Sequence, residues 1–362
     1  MTTRNIVLCC DGTSNQFSQD RTSVIKLFHT LIKDDARQLV YYHPGIGTRA
    51  PTGIGTKTGG WLARWAGLAF GYKLQDDVTD AISFLMDNYR TGDQLYIFGF
   101  SRGAYTARVI SAMLHLYGLP MAGNGPLIPY ATQMLWAMAE AKSDPDYHAC
   151  AQLAQDFKGT ISSRDCKTHF LGVWDTVNSV GWIGSPLTIP FTRSNPDVAI
   201  VRHAKAIDER RGFFRVNWFT DDPERDIREV WFPGTHCDVG GGFPEAESGI
   251  SKYPLEWMAH EAVKAGLLID PARLDDVLGR HGGSYAPPSP AAKVHYGMSP
   301  AWWLAEFVPK KHWDFTKGKW AWRANLFRRR TYPEAPVVHD VAWAIPDYVL
   351  PPGAVKLSSV WP

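Results

Sequence analysis

Apolar residues in the first hundred positions follow two alternating periods. Continuous apolar runs of strand length occur at residues 5–10, 39–42 and 95–98, as expected for strands that are buried on both faces. Between these runs, residues 24–31 and 74–89 carry apolar side chains at helical spacing. The alternation of strand and helix predicts an α/β protein with a mostly parallel central sheet flanked by helices.

The same two periods continue through the rest of the chain. Strand-like runs end at Trp174 and at Phe232, while helical patterns cover residues 102–116, 130–142, 201–211, 255–268 and 271–278. Stretches rich in Gly and Pro interrupt this alternation. The sequence therefore predicts one domain over residues 1–362, with inserted cap or lid segments at approximately residues 45–71, 118–165 and 282–332.

The sharpest turn in this pattern is predicted at Ser101. An apolar strand precedes it, a helical segment follows it, and Gly99 and Gly103 flank it in the spacing G-x-S-x-G. Glycine at these two positions lets neighbouring backbone approach closely. The arrangement is typical of a nucleophile elbow, which presents a serine Oγ beyond the end of the sheet. The alternative is a structural serine that caps the following helix.

A nucleophilic serine requires a histidine base and an acid that orients the histidine. In folds with such an elbow, the acid and then the histidine follow later in the chain, at the carboxyl ends of strands. Asp175 directly follows the run F-L-G-V-W, and His236 lies in a glycine-flanked loop after E-V-W-F. The spacing therefore predicts Ser101, Asp175 and His236 as catalytic residues.

Other side chains compete for the same roles. His203 lies on a segment with helical spacing, and His339 follows an apolar pair where a late strand is expected to end. Asp238, two residues beyond His236, is either the rival acid or a residue that steadies the loop around His236. Asp175 and His236 also fit structural roles, as a helix cap and as a hydrogen-bonded histidine.

Negative charge that develops on a carbonyl oxygen requires backbone N–H donors. One donor is predicted at Arg102, in the first turn of the helix after the elbow. The second is predicted from Gly12 and Thr13 in the loop after the first strand, with Asp11 behind them as a supporting residue, although D-G-T also fits an ordinary turn. The carboxylates and imidazole near Asp11 and His236 match no strong metal-site spacing, so neither a metal nor a cofactor is predicted.

Composition narrows the classes of partner. Charged residues make up 20% of the chain and the formal net charge is only +2, so no basic field indicates nucleic-acid binding. The five cysteines show no C-x-x-C spacing, which argues against a disulfide framework or a zinc site. A strand at residues 5–10 leaves no room for a signal peptide, and no apolar run approaches the roughly 20 residues of a membrane helix. We expect a protein that is cytoplasmic as synthesised, with signal-less export left open.

Residues 301–330 combine many aromatic side chains with lysines and arginines, including the run Arg328-Arg329-Arg330. Aromatic rings at the headgroup boundary and cations facing anionic lipid would give peripheral membrane contact. In the alternative interpretation, the rings pack as a cap over the core and the cations lie in solvent. The pattern fits both.

Several longer motifs occur in a fixed order: C-D-G-T at residues 10–13, Y-Y-x-P-G-I-G-T at 41–48, G-F-S-R-G-A-Y-T-A-R at 99–108, G-V-W-D-T-V at 172–177 and R-E-V-W-F-P-G-T-H-C-D-V-G-G-G at 228–242. With this combination the chain resembles the α/β-hydrolase-like DUF2235 family, which includes Tle1-type phospholipase effectors of bacterial type VI secretion. The resemblance covers approximately residues 5–268. It implies an α/β-hydrolase core with a triad at Ser101, Asp175 and His236.

The predicted activity is carboxylic ester hydrolysis by this triad, and the resemblance favours lipid or phospholipid acyl esters as substrates. Small soluble or polymeric esters are the alternative substrates. A hydrolase fold that binds lipid or a partner without catalysis is the alternative of another class.

Overall fold

Strands and helices alternate through the part of the chain that the structure describes. The computed structural model describes residues 3–12, 21–45, 68–177, 181–182, 185–186, 188–212, 214–220, 222–298, 303, 306–307, 309–314 and 319–357. The strands are β1 (Asn5–Cys10), β2 (Gln38–His43), β3 (Gln94–Phe100), β4 (Leu119–Pro120), β5 (Ser162–Arg164), β6 (Thr168–Trp174), β7 (Gly181–Trp182), β8 (Ser185–Pro186), β9 (Val198–Ala206), β10 (Asp226–Phe232), β11 (Lys310–Asp314), β12 (Lys319–Arg323), β13 (Val337–His339) and β14 (Val355–Leu357). The helices are α1 (Ser23–Thr30), α2 (Leu68–Asn88), α3 (Arg102–Tyr117), α4 (Leu127–Glu140), α5 (Asp144–Ile161), α6 (His236–Gly240), α7 (Lys252–Lys264), α8 (Pro271–Val277) and α9 (Val341–Ala344), with a 3₁₀ turn at Glu245–Glu247.

The centre of the fold is a parallel sheet. Within the described residues it has eight strands in the order β14-β13-β10-β9-β6-β3-β1-β2, and every neighbouring pair runs parallel. The prediction of a mostly parallel central sheet flanked by helices is confirmed. Because β1 lies between β2 and β3, the direction of winding reverses beside β3, and ligands of open α/β sheets bind at such a switch point, outside the carboxyl ends of the strands. Ser101 directly follows β3 at this edge.

Alternate residues of the central strands pack on opposite faces of the sheet. Ile6 and Leu8 of β1 belong to one apolar cluster, which contains residues of α2, α3, α4 and α5. Val7 and Cys9 belong to the other, which contains residues of α1, α7 and α8. Helices thus cover both faces, which explains the continuous apolar runs in the sequence. Each fully buried aliphatic side chain of this kind contributes about 1.5–3 kcal/mol.

The prediction of a helix at residues 201–211 is wrong, because residues 198–206 form β9 in the middle of the sheet. Its charged residues Arg202, His203 and Lys205 suggested the solvent-facing side of a helix, but all three are nearly completely buried. His203 Nδ1 and Lys205 Nζ lie 2.8 and 3.2 Å from the carboxylate of Glu229 on β10. Pairing with a carboxylate on the neighbouring strand compensates the desolvation cost of burying these charges. The spacing of residues along the sequence does not reveal such pairing.

The predicted cap or lid segments differ in how far the structure describes them. Residues 46–67 of the first lie outside the described residues. The second contains α4 and α5, whose apolar side chains join the cluster on the α2–α3 face of the sheet. In the third, residues 282–298 contain neither helix nor strand, as predicted, and the β11–β12 hairpin follows. In the described part of the chain, no helix has both the length and the apolar character required to cross a bilayer. Cap or lid function of these segments stays a prediction.

Replacing Gly240 by alanine is expected to destabilise the fold next to the candidate site. A Cβ there would lie 1.9 Å from the ring of Phe100, which is only 4% exposed. Overpacking of this kind costs about 1–3 kcal/mol in the free energy of unfolding, which urea denaturation measures. Gly159→Ala in α5 is the matched control, since its Cβ meets nothing within 4 Å and glycine-to-alanine in a helix stabilises by about 0.5–1 kcal/mol. Equal stability of the two variants would contradict the packing argument.

Candidate active site

Ser101 occupies a strained turn between β3 and α3. Its φ is 58° and its ψ is −117°, values that are uncommon for a residue with a side chain and typical of functional sites. The Ser101 N–H donates to the carbonyl of Trp174 at 3.0 Å, which ties the turn to the end of β6. A Cβ on Gly103 would lie 2.2 Å from the carbonyl oxygen of Cys10. Glycine is therefore required where α3 begins against the end of β1.

Two hydrogen bonds join Ser101, His236 and Asp175. Ser101 Oγ lies 2.7 Å from His236 Nε2, and His236 Nδ1 lies 2.6 Å from Asp175 Oδ2. The three residues follow β3, β10 and β6, whose carboxyl ends meet at one edge of the sheet. All three are buried, with exposures of 9, 4 and 0% for Ser101, His236 and Asp175. The structure brings together the three residues that the sequence predicted for catalysis.

The His236 imidazole lies against two aromatic rings. Its ring centroid is 4.6 Å from that of Phe100 and 4.8 Å from that of Phe214. Burial lowers the pKa of His236 below the ordinary 6.5, although the hydrogen bond and charge of Asp175 act in the opposite direction. The imidazole is therefore kept neutral, as a general base requires.

The acid limb of the pH profile of kcat/KM is expected to have its midpoint below pH 6.5. His236 must be neutral to accept a proton, and a lowered pKa keeps it neutral to lower pH than an ordinary histidine. Phe214→Ala admits water to the ring and is expected to move this midpoint upward, towards 6.5. Initial rates on an uncharged ester between pH 4.5 and 8 measure both values. A wild-type midpoint above 6.5 would mean that the charge of Asp175 outweighs burial.

Arg330 forms an ion pair with Asp175 that the sequence analysis missed. Its Nη1 and Nη2 lie 2.5 and 2.9 Å from the two carboxylate oxygens of Asp175. Burial alone would raise the pKa of Asp175, but Arg330 and the hydrogen bond from His236 outweigh it and hold this pKa well below its usual range. The only sequence signal was the run of three arginines, which we interpreted as a solvated or membrane-facing patch. The Arg330 side chain is instead only 8% exposed.

Further hydrogen bonds fix the positions of Asp175 and His236. The Ala206 N–H donates to Asp175 Oδ1 at 3.0 Å, and the His236 N–H donates to Glu209 Oε2 at 3.2 Å. Glu209 is itself buried and bonded to Arg211. Glu209 was not predicted as a site residue, because nothing in its local pattern indicated contact with a loop 27 residues away.

The rival residues lie in other contacts. His203 is on β9 and bonds Glu229, while His339 stacks on Phe232 at a centroid distance of 4.8 Å. Asp238 accepts from the Thr235 N–H at 2.8 Å and bonds His295 Nδ1 at 2.7 Å. These contacts of Asp238 steady the loop that carries His236. His339 does lie at the end of a late strand, β13, as predicted.

The predicted oxyanion donors are only partly described. Arg102 is the first residue of α3, so its N–H belongs to the first turn, whose N–H groups make no hydrogen bond within the helix. The Gly12 N–H donates to Asp11 Oδ1 at 2.7 Å and is thereby engaged. Thr13 lies outside the described residues. Asp11 also accepts from the hydroxyls of Thr22 and Tyr42, so it organises the loop after β1, and the roles of Gly12, Thr13 and Arg102 stay predictions.

Three known proteins with a related sequence or fold are considerably longer than this chain. YEL023C, an uncharacterized protein of Saccharomyces cerevisiae, is 37% identical over 228 residues, which cover 61% of this chain and 33% of the yeast protein. A crystal structure of an uncharacterized protein from Pseudomonas aeruginosa has 19% identity and a TM-score of 0.43, over 75% of this chain and 47% of that one. The Tle1 effector bound to the VgrG spike of the type VI secretion system has 19% identity and a TM-score of 0.40, over 69% and 53%. The chain thus spans a third of the yeast relative and about half of each of these two solved proteins.

A family match covers most of the sequence and confirms the resemblance. Residues 4–261 match the family described as T6SS, Phospholipase effector Tle1-like, catalytic domain. Matched residues include Ser101, Asp175 and His236, whereas Arg330 lies beyond the match. Since this match covers well over half of the 362 residues, the chain belongs to the Tle1-like phospholipase effector catalytic-domain family.

Proposed function

We propose that this protein is a serine ester hydrolase that acts on lipid or phospholipid acyl esters. The observation that supports the proposal most directly is the continuous hydrogen-bonded path from Ser101 Oγ through His236 to Asp175. Such a path activates a hydroxyl for acyl transfer. Membership of a phospholipase effector family supports the lipid substrate.

In the first half-reaction, Ser101 Oγ attacks the acyl carbonyl carbon and its proton passes to His236 Nε2. The carbonyl oxygen becomes an oxyanion, and we expect the Arg102 N–H at the start of α3 to stabilise it. Asp175 stabilises the imidazolium that forms. When the tetrahedral intermediate collapses, the ester C–O bond breaks and the leaving alcohol takes the proton from His236 Nε2. The acyl group then remains on Ser101.

In the second half-reaction, a water molecule gives a proton to His236 Nε2 and its oxygen attacks the acyl carbon. Collapse of this intermediate releases the carboxylic acid, and the proton returns to Ser101 Oγ. For a phospholipid substrate, the products are a fatty acid and a lysophospholipid. The two halves use the same residues, so one set of hydrogen bonds serves both.

Exposed aromatic side chains support contact with a lipid surface. Trp303, Phe307 and Trp322 are 54, 62 and 56% exposed. Trp303 and Phe307 each contact the ring of Phe327 at a centroid distance of 6.3 Å. Rings of this kind insert at the headgroup boundary. We propose that this part of residues 301–330 brings the enzyme to the membrane.

A comparison of soluble and aggregated substrates tests the substrate class. Purified protein is assayed for fatty-acid release from phospholipid vesicles and for hydrolysis of a short-chain ester in solution. Faster turnover on vesicles, which falls in a Trp303→Ala/Phe307→Ala variant while short-chain turnover is unchanged, is the expected result. Hydrolysis of the short-chain ester alone would instead assign the enzyme to small or polymeric esters.

Covalent labelling separates an enzyme from a non-catalytic lipid-binding protein. A fluorophosphonate probe reacts with an activated serine, so it is expected to label Ser101, and peptide mapping identifies the site. An inactive hydrolase fold would bind vesicles without being labelled. That outcome would overturn the proposal even if lipid binding were strong.

A further inference from the structure

A small cavity lies beside the His236 side of the candidate site. Its volume is about 70 Å³, several times what a single water molecule needs. The loop after β9 forms one wall and the segment after β12 forms the other. Phe214, which contacts His236, also lines this cavity. Among the described residues that line it, seven are arginines: Arg210, Arg211, Arg215, Arg323, Arg328, Arg329 and Arg330. We call it the arginine pocket.

Hydrogen bonds to one buried side chain connect the two walls. Glu306, which is fully buried, accepts from the Gly212 N–H at 2.7 Å and from Asn325 Nδ2 at 2.6 Å. Asn325 Nδ2 also donates to the Arg210 carbonyl oxygen. These contacts form the pocket before any ligand binds, so ligand binding does not have to order the two segments.

Three of the seven arginines have a carboxylate partner. Arg211 pairs with Glu209 at 2.6 Å, Arg329 with Asp208 at 2.8 Å, and Arg330 with Asp175 at 2.5 Å. The other four, Arg210, Arg215, Arg323 and Arg328, have no ion pair with a carboxylate within the described residues. The Glu306 carboxylate, which is bonded by backbone and amide groups, is a fourth negative charge in this region, so seven guanidinium groups still leave an excess of positive charge around the cavity.

This excess charge is partly withdrawn from solvent. The Nε atoms of Arg210 and Arg323 are buried and have no hydrogen-bond partner among the described residues. Burial lowers the pKa of Arg215 to about 10. Unpaired cations in a partly buried site are costly, and a bound anion would supply both the charge and the missing acceptors.

We propose that the arginine pocket binds a phosphate group. Guanidinium groups match the oxygens of phosphate in bidentate geometry and are the preferred side chains for this purpose. The phosphate of a phospholipid and free inorganic phosphate share this chemistry, and only the lipid source rests on the proposed function. Arg330 belongs both to the pocket and to the ion pair with Asp175, so a bound phosphate acts directly on a partner of the candidate triad.

Binding is measured on the full chain carrying Ser101→Ala, which cannot hydrolyse the ligand under the proposed mechanism. Calorimetry with inorganic phosphate, with monomeric dihexanoyl phosphatidylglycerol and with uncharged dihexanoylglycerol compares the sources. The test variant adds Arg215→Gln and Arg323→Gln. The matched control adds Arg90→Gln, because Arg90 is exposed and precedes β3, at the sheet edge opposite Ser101.

We expect phosphate to bind to the Ser101→Ala protein. Its affinity is expected to fall at least tenfold in the Arg215→Gln/Arg323→Gln variant and to stay unchanged in the Arg90→Gln control. Without phosphate, the same double substitution is expected to raise Tm, because it removes two partly buried like charges, whereas a purely structural role of the arginines would lower it. Pocket-dependent binding of phosphatidylglycerol identifies the lipid source, and pocket-dependent binding of inorganic phosphate alone identifies the free ion. Equal binding by all variants, or no phosphate binding at millimolar concentration, overturns the proposal whether or not the protein hydrolyses esters.

Discussion

Ser101→Ala is expected to lower kcat for ester hydrolysis by about 10³–10⁶-fold. The substitution removes the atom proposed to attack the substrate, and His236 Nε2 then has no serine proton to accept. Its effect on folding is expected to be small, because it removes one hydrogen bond, worth about 1 kcal/mol, and leaves the Cβ in place. Fatty-acid release from vesicles measures the rate, and urea denaturation measures the free energy of unfolding.

Ser111→Ala is the matched control for that variant. Ser111 lies on α3, the helix that begins after Ser101, and its hydroxyl is buried 2.9 Å from that of Thr168. The control removes a hydroxyl oxygen from a serine within the helix that follows Ser101, and it does not touch His236. We expect its kcat to stay within a few-fold of wild type. Unchanged hydrolysis by Ser101→Ala, or an equal loss in Ser111→Ala, would refute the proposed nucleophile.

Asp175→Asn is expected to impair both activity and stability. An amide in place of the carboxylate favours the wrong tautomer of His236, which costs about 10⁴-fold in kcat. It also leaves the Arg330 guanidinium buried without its anionic partner, and breaking a buried pair in this way costs about 3–5 kcal/mol. Both Asp175 and Arg330 are almost inaccessible to solvent, so water compensates little of this loss. Activity per folded molecule separates the two effects.

A double variant distinguishes the two roles of Asp175. Asp175→Asn/Arg330→Gln removes the uncompensated cation, so we expect it to recover part of the lost stability and none of the lost activity. Asp238→Asn tests the rival acid. It weakens the cap of α6 by about 1 kcal/mol, and we expect kcat to stay within about tenfold of wild type, since Asp238 bonds His295 instead of His236. If activity were lost in Asp238→Asn and retained in Asp175→Asn, Asp238 would be the acid that orients His236 and Asp175 would not.

Local pattern was sufficient wherever the physical cause acts over a few residues. The apolar run at residues 5–10 matches β1, because a strand covered on both faces has no polar side to interrupt it. The helix after Ser101 was predicted within one residue of α3. By contrast, the segment that forms β9 was predicted as a helix. Its buried charges pair with Glu229 on β10, and the pattern of the segment itself does not show this pairing.

For the candidate site, the sequence alone determined which residue follows each strand, and hence that Ser101, Asp175 and His236 project from the carboxyl edge of a parallel sheet. Only the tertiary structure decided that His236, and neither His203 nor His339, lies within hydrogen-bond distance of Ser101. It also decided that Arg330, 155 residues from Asp175 in the chain, bonds that carboxylate. The reason is physical: side-chain order along a strand is fixed by local geometry, whereas pairing of buried charges depends on which distant segments the folded core brings together.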